Sequence, residues 1–423
     1  MKLRAIIDEA SKEYCKPLKD LTVLSSSRDP YRLDTPANHK LGEWLKAAYH
    51  LVNPNSKTTH LRGLHYMLVG RVDKPNGEQY TNTDDNWQWF SSKVAKAARW
   101  LGYIPWELIR DARNAPPQIF TPEYDEPTWV IKIADIELSI PDELKPRLAI
   151  DGHVFRQPYR QVIIAEKQGV QDVLQGVCSH YDASMVLPAG EISDSLVYGI
   201  LKAAADDGRP LVIHQLGDFD PSGNQMAVST ARTVQGLRDS LFPDLTVIVN
   251  AIGLTLEQCE AWNLPTTPLK ETEKRAEKWI ALMGREQTEL DAAVALVPDE
   301  FSDMVKSALS QYYDDELFLR SYREIKRLEN EANQQTHIFN DEQTSQLHTQ
   351  ARQKLVGMQE QIKVIKVIND ALKVDIGEVS APCELDIIYG DVKPTLAPLL
   401  DTRESWIKST DRMIKRKALL QSA

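Results

Sequence analysis

The sequence LVIHQLGDFDPSG at residues 211–223 decides how the chain folds. It begins with a short run of mainly apolar side chains, which is typical of a strand buried on both faces of a sheet. Asp218 and Asp220 follow this run, and the Pro-Ser-Gly turn leads into a helix predicted over 223–240. In an open parallel sheet, ligands bind beyond the carboxyl ends of the strands. The two aspartates therefore stand where a site is expected.

The same alternation of strand and helix extends on both sides of this stretch. The predicted strands are VIIA (162–165), SMVL (184–187), PLVIHQL (210–216) and LTVIV (245–249), and the predicted helices cover 169–177, 192–205 and 223–240. Short apolar strands that alternate with helices predict an α/β fold with a parallel sheet buried on both faces. We assign residues 151–317 to this domain.

A third carboxylate follows another strand of the domain. The run VIIA ends directly before Glu166 and Lys167. Asp218 and Asp220 are two residues apart in extended chain, so their carboxylates point the same way, and Glu166 arrives from a different strand. Magnesium is commonly bound by a few carboxylates together with water and phosphate oxygens, as in phosphoryl transfer. The three carboxylates therefore predict a Mg²⁺ site, with Mn²⁺ as an alternative ion.

The preceding segment predicts two helices joined by a small β element. The first helix is THLRGLHYMLV, the turn-containing sequence RVDKPNGEQY follows at 71–80, and the second helix begins near Asn82 or Thr83 and ends at Gly102. This arrangement suits a winged-helix DNA-binding module, to which we assign residues 57–150.

The first of these helices carries Arg62 one turn before Tyr66. Both side chains lie on the same face, so the guanidinium can contact a phosphate beside the phenol. A phenol is a weak nucleophile at neutral pH, and a neighbouring cation favours its ionised form. Half-buried packing is the common role of such a tyrosine, and the residues alone leave both roles open.

Charge is unevenly distributed along the chain. The sequence has 50 basic and 61 acidic residues, a net charge of -11, but residues 1–115 hold 18 basic and 13 acidic residues. An amino-terminal part that binds phosphates is therefore allowed. The candidate DNA contacts are Lys93, Lys96 and Arg99 on the second helix, together with Lys167. For the three residues on the helix, the alternative is that they lie on a face exposed to solvent.

Other features of the sequence limit the classes of protein to which the chain can belong. No apolar run is long enough for a membrane span or a signal peptide, so a cytoplasmic protein without membrane contact is expected. The scattered cysteines, which are Cys15, Cys178, Cys259 and Cys383, predict free thiols. Residues 1–56 and 318–423 are predicted as helical extensions. The second contains helically spaced apolar residues, which are Leu347, Ala351, Leu355, Met358, Ile362, Ile365 and Leu372.

The combination of the Arg-x-x-x-Tyr helix, Glu166-Lys167 and the DxDPSG loop resembles the A subunit of topoisomerase VI and the related meiotic break-forming transesterase. In that family a winged-helix-type domain precedes a Toprim domain. The resemblance continues in IGLTLEQCEAWNLPTTPL (252–269) and in Glu289-Leu290-Asp291-Ala292, and it covers roughly residues 58–312.

The resemblance implies a set of roles. Tyr66 would attack a DNA phosphodiester to give a 5′-phosphotyrosyl link, with Arg62 as its helper. Glu166 would serve acid/base or metal chemistry, and Asp218 and Asp220 would bind Mg²⁺. The implied partners are double-stranded DNA, a second copy of the chain whose Toprim site completes each active centre, and a separate ATPase subunit.

Two departures from the family pattern keep other functions open. Gly63 and His65 stand where the family commonly has an acidic and an aromatic residue. One alternative is a Toprim endonuclease in which water attacks the DNA, with a role in defence or in a mobile element. The other is a catalytically inactive DNA-binding or assembly protein.

Overall fold

The fold is described by a computed structural model for residues 3–110, 117–120, 122, 124–132, 147–188, 190–335, 341–358 and 381–418. The strands in these ranges are β1 (Thr59–His60), β2 (Ile109–Arg110), β3 (Thr128–Lys132), β4 (Arg147–Asp151), β5 (Phe155–Arg156), β6 (Arg160–Ala165), β7 (Ala183–Val186), β8 (Leu211–Leu216), β9 (Val247–Gly253), β10 (Ile388–Tyr389) and β11 (Leu400–Asp401).

The α-helices in the same ranges are α1 (Leu3–Glu13), α2 (Pro36–Val52), α3 (Leu61–Leu68), α4 (Asp84–Trp89), α5 (Ala95–Trp100), α6 (Gln171–His180), α7 (Asp194–Asp207), α8 (Pro221–Leu241), α9 (Leu256–Ala261), α10 (Ala276–Met283), α11 (Leu290–Leu296), α12 (Pro298–Ser310), α13 (Leu317–Gln335), α14 (Asp341–Met358) and α15 (Trp406–Ala418). None of the helices within the described residues is long and apolar enough to cross a lipid bilayer.

Packing divides the chain into two discontinuous units. The first contains residues 1–121, 159–313 and 393–423, and the second contains residues 122–158 and 314–392. This division differs from the four consecutive segments 1–56, 57–150, 151–317 and 318–423 that the sequence predicts. The difference arises because residues far apart in the chain contribute to one core, which a segment-by-segment interpretation does not detect.

A five-stranded sheet forms the centre of the first unit. Its strand order is β11-β9-β8-β6-β7. The four strands from β6 to β9 are parallel, and β11 pairs antiparallel with β9 at one edge. The predicted α/β class is thereby confirmed. β6, the first strand of this sheet along the chain, lies between β7 and β8. The connection from β6 leads to β7 on one side, and the connection from β8 leads to β9 on the other, so the two diverge at the carboxyl ends of β6 and β8.

The sequence explains why these strands lie at the centre. Every residue of β7 and β8 is buried, which is the pattern of a parallel strand covered on both faces. Helices α7 and α8 contribute to the core on one face of the sheet, and α6 and α12 contribute to the core on the other. Ser193 caps the start of α7, and Gly208 ends it in a left-handed conformation with φ of 82°.

Both ends of the described chain pack on the α8 side of this sheet. The guanidinium of Arg232 in α8 forms a fully buried ion pair with Asp29, at 3.1 Å between Nε and Oδ2. Lys16 at the end of α1 forms an ion pair of 2.9 Å with Asp411 in α15. The apolar side chains of α1 and α15 belong to the same core as those of β8 and β9.

A smaller core in the first unit holds α2, α3, α4 and α5. The hairpin predicted between the two helices is present, because Asp73 bridges antiparallel to Gln79 and Gly77 takes a φ of 84° at the turn. Thr83 caps α4 as predicted, and Gly102 follows the end of α5. One turn of π-helix, Phe90–Val94, separates α4 from α5, which the helical spacing does not predict.

The second unit contains two short strand pairs and the helix α13. Strands β3 and β4 are antiparallel, and β5 pairs in parallel with β10. Glu329 and Asn333 of α13 accept hydrogen bonds from backbone N–H groups of β4 at 3.1 and 2.8 Å. Leu347 and Ala351 in α14 are buried. Among the predicted helical apolar residues, Ile362, Ile365 and Leu372 and the side chains of Leu355 and Met358 lie outside the part that the structure describes.

Candidate functional site

The loop after β8 is held in place by hydrogen bonds to the start of α8 and to residues 288–290. Asp218 Oδ1 accepts a hydrogen bond of 2.8 Å from the backbone N–H of Leu290, and Asp220 Oδ1 accepts one of 2.5 Å from Gly223, which caps α8. Phe219 between them is buried and exchanges two backbone hydrogen bonds with Thr288. The two aspartates are therefore fixed in position before any ligand binds.

Gly223 is required for this geometry. A Cβ atom at this position would lie 2.2 Å from the backbone oxygen of Asp218, which is a severe clash with an atom that cannot move aside independently. The glycine thus allows the first turn of α8 to approach the loop closely. The DxDPSG sequence carries this signal because its glycine stands three residues after the capping aspartate.

Glu166 lies at the end of the neighbouring strand. In the parallel register of β6 and β8, Ala165 pairs with Leu216, so Glu166 leaves the sheet directly beside the start of the acidic loop. Burial, followed by the negative charges of Asp218 and Asp220, raises the pKa of Glu166 from 4.5 to about 7. The three carboxylates that the sequence singles out therefore follow two adjacent strand ends and are near enough for their charges to interact.

The two aspartates experience the same kind of environment. The side chain of Asp218 is only 10% exposed. Burial is the main cause that raises the pKa of Asp218 and of Asp220, and the backbone hydrogen bonds that each accepts partly oppose it. Each carboxyl is therefore harder to ionise than in water, because the charged form is poorly solvated and has like charges nearby.

Lys167 contacts carboxylates of its own chain. Its ammonium lies 3.5 Å from Asp218 Oδ2, 3.3 Å from Glu289 Oε2 and 3.9 Å from Asp291 Oδ2. The sequence predicts Lys167 as a DNA contact, whereas the structure has it inside the acidic cluster. Glu289 and Asp291 were not predicted as site residues, although Glu289-Leu290-Asp291-Ala292 belongs to the segment that carries the family resemblance.

Tyr66 and Arg62 lie together on α3. Tyr66 is 54% exposed, and the Arg62 guanidinium carbon lies 5.4 Å from the centre of the Tyr66 ring and 4.4 Å from that of Trp87. The shared face predicted for the pair is confirmed. Within the described residues, the ring contacts of Tyr66 are with His65 and Arg62, and it makes no hydrogen bond or ring contact with Glu166, Asp218 or Asp220.

His65 is a core residue. It is fully buried, and its two ring nitrogens form hydrogen bonds of 2.6 Å with the hydroxyl of Tyr80 and 3.1 Å with Asn82 Oδ1. It therefore fixes α3 against the hairpin. At Gly63, an added Cβ would lie 3.0 Å from Thr59 Oγ1, so the glycine lets α3 begin close to β1. These contacts account for the two departures from the family pattern in terms of local packing.

The predicted DNA-contacting residues of the second helix differ in their surroundings. Lys93 is exposed. Lys96 donates a hydrogen bond of 3.1 Å to the backbone oxygen of Arg28 and lies 3.9 Å from Asp194. Arg99 donates to Ser195 and lies over the ring of Trp106. Lys96 and Arg99 thus serve contacts within the chain, and Lys93 is the residue of the three that presents its charge to solvent.

Comparison with known proteins assigns no family to the chain. No protein-family model matches the sequence, and no curated protein matches it significantly.

A divalent ion is the cofactor that the carboxylates suggest. Among the described residues, no three His, Cys, Asp or Glu side chains are arranged to hold one metal ion together. Mg²⁺ usually needs only one or two carboxylates, because water and phosphate oxygens complete its coordination. Two carboxylates fixed by backbone hydrogen bonds beside a third with a raised pKa fit that requirement, since a bound cation would offset their mutual repulsion.

The four cysteines are free thiols, as the sequence predicts. They are Cys15, Cys178, Cys259 and Cys383.

Proposed function

We propose that this chain is a Mg²⁺-dependent DNA-cleaving protein of the topoisomerase VI A-subunit type, with Tyr66 as the nucleophile. The observation that carries the proposal is that Glu166, Asp218 and Asp220 lie at adjacent strand ends, where burial and then the negative charges of the two aspartates raise the pKa of Glu166 to about 7. Carboxylates that repel one another in a partly buried site favour a bound cation.

The proposed reaction is a transesterification. The Tyr66 oxygen attacks the phosphorus of a DNA phosphodiester, the bond from phosphorus to the 3′-oxygen breaks, and a 5′-phosphotyrosyl link and a free 3′-hydroxyl result. The leaving oxygen needs a proton and the phenol must lose one. A carboxyl with a pKa near 7 gains and releases protons readily at neutral pH, so Glu166 is the acid/base group of the proposal.

The remaining residues have supporting roles in this scheme. Mg²⁺, when bound to Asp218 and Asp220 with Glu166 alongside, supplies positive charge for the phosphate oxygens. Arg62, whose guanidinium carbon lies 5.4 Å from the centre of the Tyr66 ring, contacts the phosphate beside the phenol in this scheme. Exposed Lys93 contributes positive charge toward the DNA backbone.

The architecture and partners form part of the proposal. The small helical core with its hairpin acts as the winged-helix-like module, and the sheet that carries the carboxylates acts as the Toprim domain. In the family that the chain resembles, the tyrosine of one subunit meets the metal site of a second copy, and we extend this arrangement to the chain. Duplex DNA is the substrate, and a separate ATPase subunit would drive strand passage.

The test is incubation with supercoiled DNA and Mg²⁺ or Mn²⁺, followed by detergent and detection of DNA attached to protein. The variants are Tyr66→Phe and Asp218→Ala. Tyr322→Phe is a matched control, because Tyr322 is 52% exposed and has Lys326 over its ring, much as Tyr66 has Arg62. We expect adducts from the wild type and from the control, and none from either site variant.

The outcomes separate the candidate functions. Adducts that persist in Tyr66→Phe would reject Tyr66 as the nucleophile. Binding of DNA without cleavage under every metal condition would reject the enzyme and leave a DNA-binding or assembly protein.

Metal-dependent hydrolysis is the second candidate. It is favoured by the lack of contact between Tyr66 and the carboxylates within the described chain, combined with a Glu166 pKa suited to deprotonating water. In that case cleavage by Tyr66→Phe equals that of the wild type, no adduct forms, and EDTA or Asp218→Ala abolishes the reaction.

A further inference from the structure

A pocket of about 320 Å³ opens beside the acidic loop. Asp218 and Asp220 line one part of it, the first turn of α8 lines another, and α10 and α15 contribute Trp279 and Arg416. Pockets that bind small molecules have volumes of roughly 300–1,000 Å³. This pocket therefore has room for a ligand of about the size of one nucleotide.

One wall of the pocket is apolar and contains an aromatic ring. Trp279 is 2% exposed, and its ring centre lies 4.8 Å from that of Phe219 in the acidic loop. Leu254, Leu282 and Met283 extend this surface. This apolar wall favours a ligand with an apolar body, because contact with it removes apolar surface from water.

Three polar side chains that line the pocket each have a buried atom without a hydrogen-bond partner among the described residues. They are Oε1 of Gln215, Nε1 of Trp279 and Nε of Arg416. Gln215 is only 5% exposed. Buried polar atoms normally have partners, because desolvation without a hydrogen bond is costly. One acceptor and two donors around one apolar pocket indicate a ligand with polar edges on an apolar body.

Arg416 adds a requirement for negative charge. No ion pair joins its guanidinium to a carboxylate among the described residues, and burial lowers its pKa. Lys415, its neighbour in α15, is exposed. A partly buried guanidinium without a counter-ion is unfavourable unless an anion binds beside it. The planar fork of a guanidinium matches the oxygens of a phosphate or a carboxylate, and a phosphate is the anionic group that a nucleotide supplies.

We propose that this pocket binds a single nucleotide, with the base against Trp279 and the phosphate at Arg416. Gln215 and the Trp279 indole N–H are the groups that meet the polar edge of the base. The nucleotide comes either from free solution or from an unpaired position of a DNA strand. Only the second source depends on the proposed DNA cleavage, because binding of a free nucleotide does not require Tyr66 to act as a nucleophile.

The test is isothermal titration of the full chain in EDTA with deoxynucleoside 5′-monophosphates, the corresponding deoxynucleosides and inorganic phosphate. We expect the monophosphates to bind more tightly than either fragment. Arg416→Gln should weaken monophosphate binding by about tenfold or more and leave deoxynucleoside binding unchanged. Lys415→Gln is the matched control on the same helix and should change neither.

A second variant tests the pocket even if Arg416→Gln does not fold. Leu282 lines the pocket but is 42% exposed, so Leu282→Trp fills the apolar side without removing a charge or a core residue. It should weaken both deoxynucleoside and monophosphate binding. No binding of any probe to the wild type, or equal monophosphate binding by the wild type and Arg416→Gln, would overturn the proposal.

Competition distinguishes the two sources. Displacement of a bound monophosphate by a single-stranded oligonucleotide, but not by a blunt duplex, would assign the pocket to an unpaired nucleotide of DNA. Lack of displacement by either would assign it to a free nucleotide. Failure of DNA cleavage with intact nucleotide binding would reject the proposed function alone, and the reverse result would reject the pocket alone.

Discussion

Replacement of Glu166 by Gln should stabilise the metal-free protein at alkaline pH. In the folded chain the pKa of Glu166 is about 7, against an ordinary value of 4.5. Between these two pH values the folded protein retains a proton that the unfolded chain has lost. The free energy of unfolding therefore falls as pH rises through this window, and the full penalty remains above it. Glutamine carries no charge and avoids that penalty.

The size of the effect follows from the same pKa values. The difference between 4.5 and about 7 corresponds to at most about 3.4 kcal/mol, at 1.36 kcal/mol for each tenfold change in proton affinity. Because Glu166 is only partly buried, solvent screening reduces the expected gain to about 1–2 kcal/mol. For a unit of this size the melting temperature should rise by about 2–4 °C.

The assay is differential scanning calorimetry in EDTA at pH 8 and at pH 4.5. Glu166→Gln should melt above the wild type at pH 8 and together with it at pH 4.5. Glu271→Gln, a change at an exposed glutamate, is the control and should change neither value. If Glu166→Gln melts at or below the wild-type temperature at pH 8, the raised pKa of Glu166 and the argument built on it are refuted.

Other substitutions test the surroundings of the site. Asp29→Ala leaves Arg232 buried without its partner, so chemical denaturation should report a loss of about 3–5 kcal/mol. Gly223→Ala forces a Cβ into the backbone of the acidic loop and should abolish any Mg²⁺-dependent rise in melting temperature. Gly199→Ala, whose added Cβ meets nothing within 4 Å, should instead stabilise α7 by about 0.5–1 kcal/mol. Lys167→Met removes a cation 3.3–3.9 Å from three carboxylates. It should lower the melting temperature at pH 8, and the difference should vanish at acidic pH as those carboxylates become protonated.

The parts of the fold that can be predicted from the sequence are those whose pattern lies within a few neighbouring residues. Apolar runs separated by helices identified β6, β7, β8 and β9, and the ends of those runs identified Glu166, Asp218 and Asp220. Parallel strands place their carboxyl ends at one edge of a sheet, so the cluster followed from the order of elements alone.

The remainder depends on contacts between distant parts of the chain. His65 is a core residue because Tyr80 and Asn82 meet both of its ring nitrogens. Lys96 and Arg99 contact Asp194 and Ser195 of α7, almost a hundred residues later. A lysine on a helix has the same sequence pattern whether its partner is a phosphate or a distant carboxylate, so their surroundings could not be predicted.

The packing of α1 and α15 on one side of the central sheet is delayed during synthesis. α1 leaves the ribosome before α15, and Lys16 cannot meet Asp411 until almost four hundred further residues have been translated. During that interval its apolar face and the β9 edge later covered by β11 remain exposed to solvent. Nascent chains of this protein should therefore bind chaperones that shield apolar surface, and release should coincide with emergence of α15.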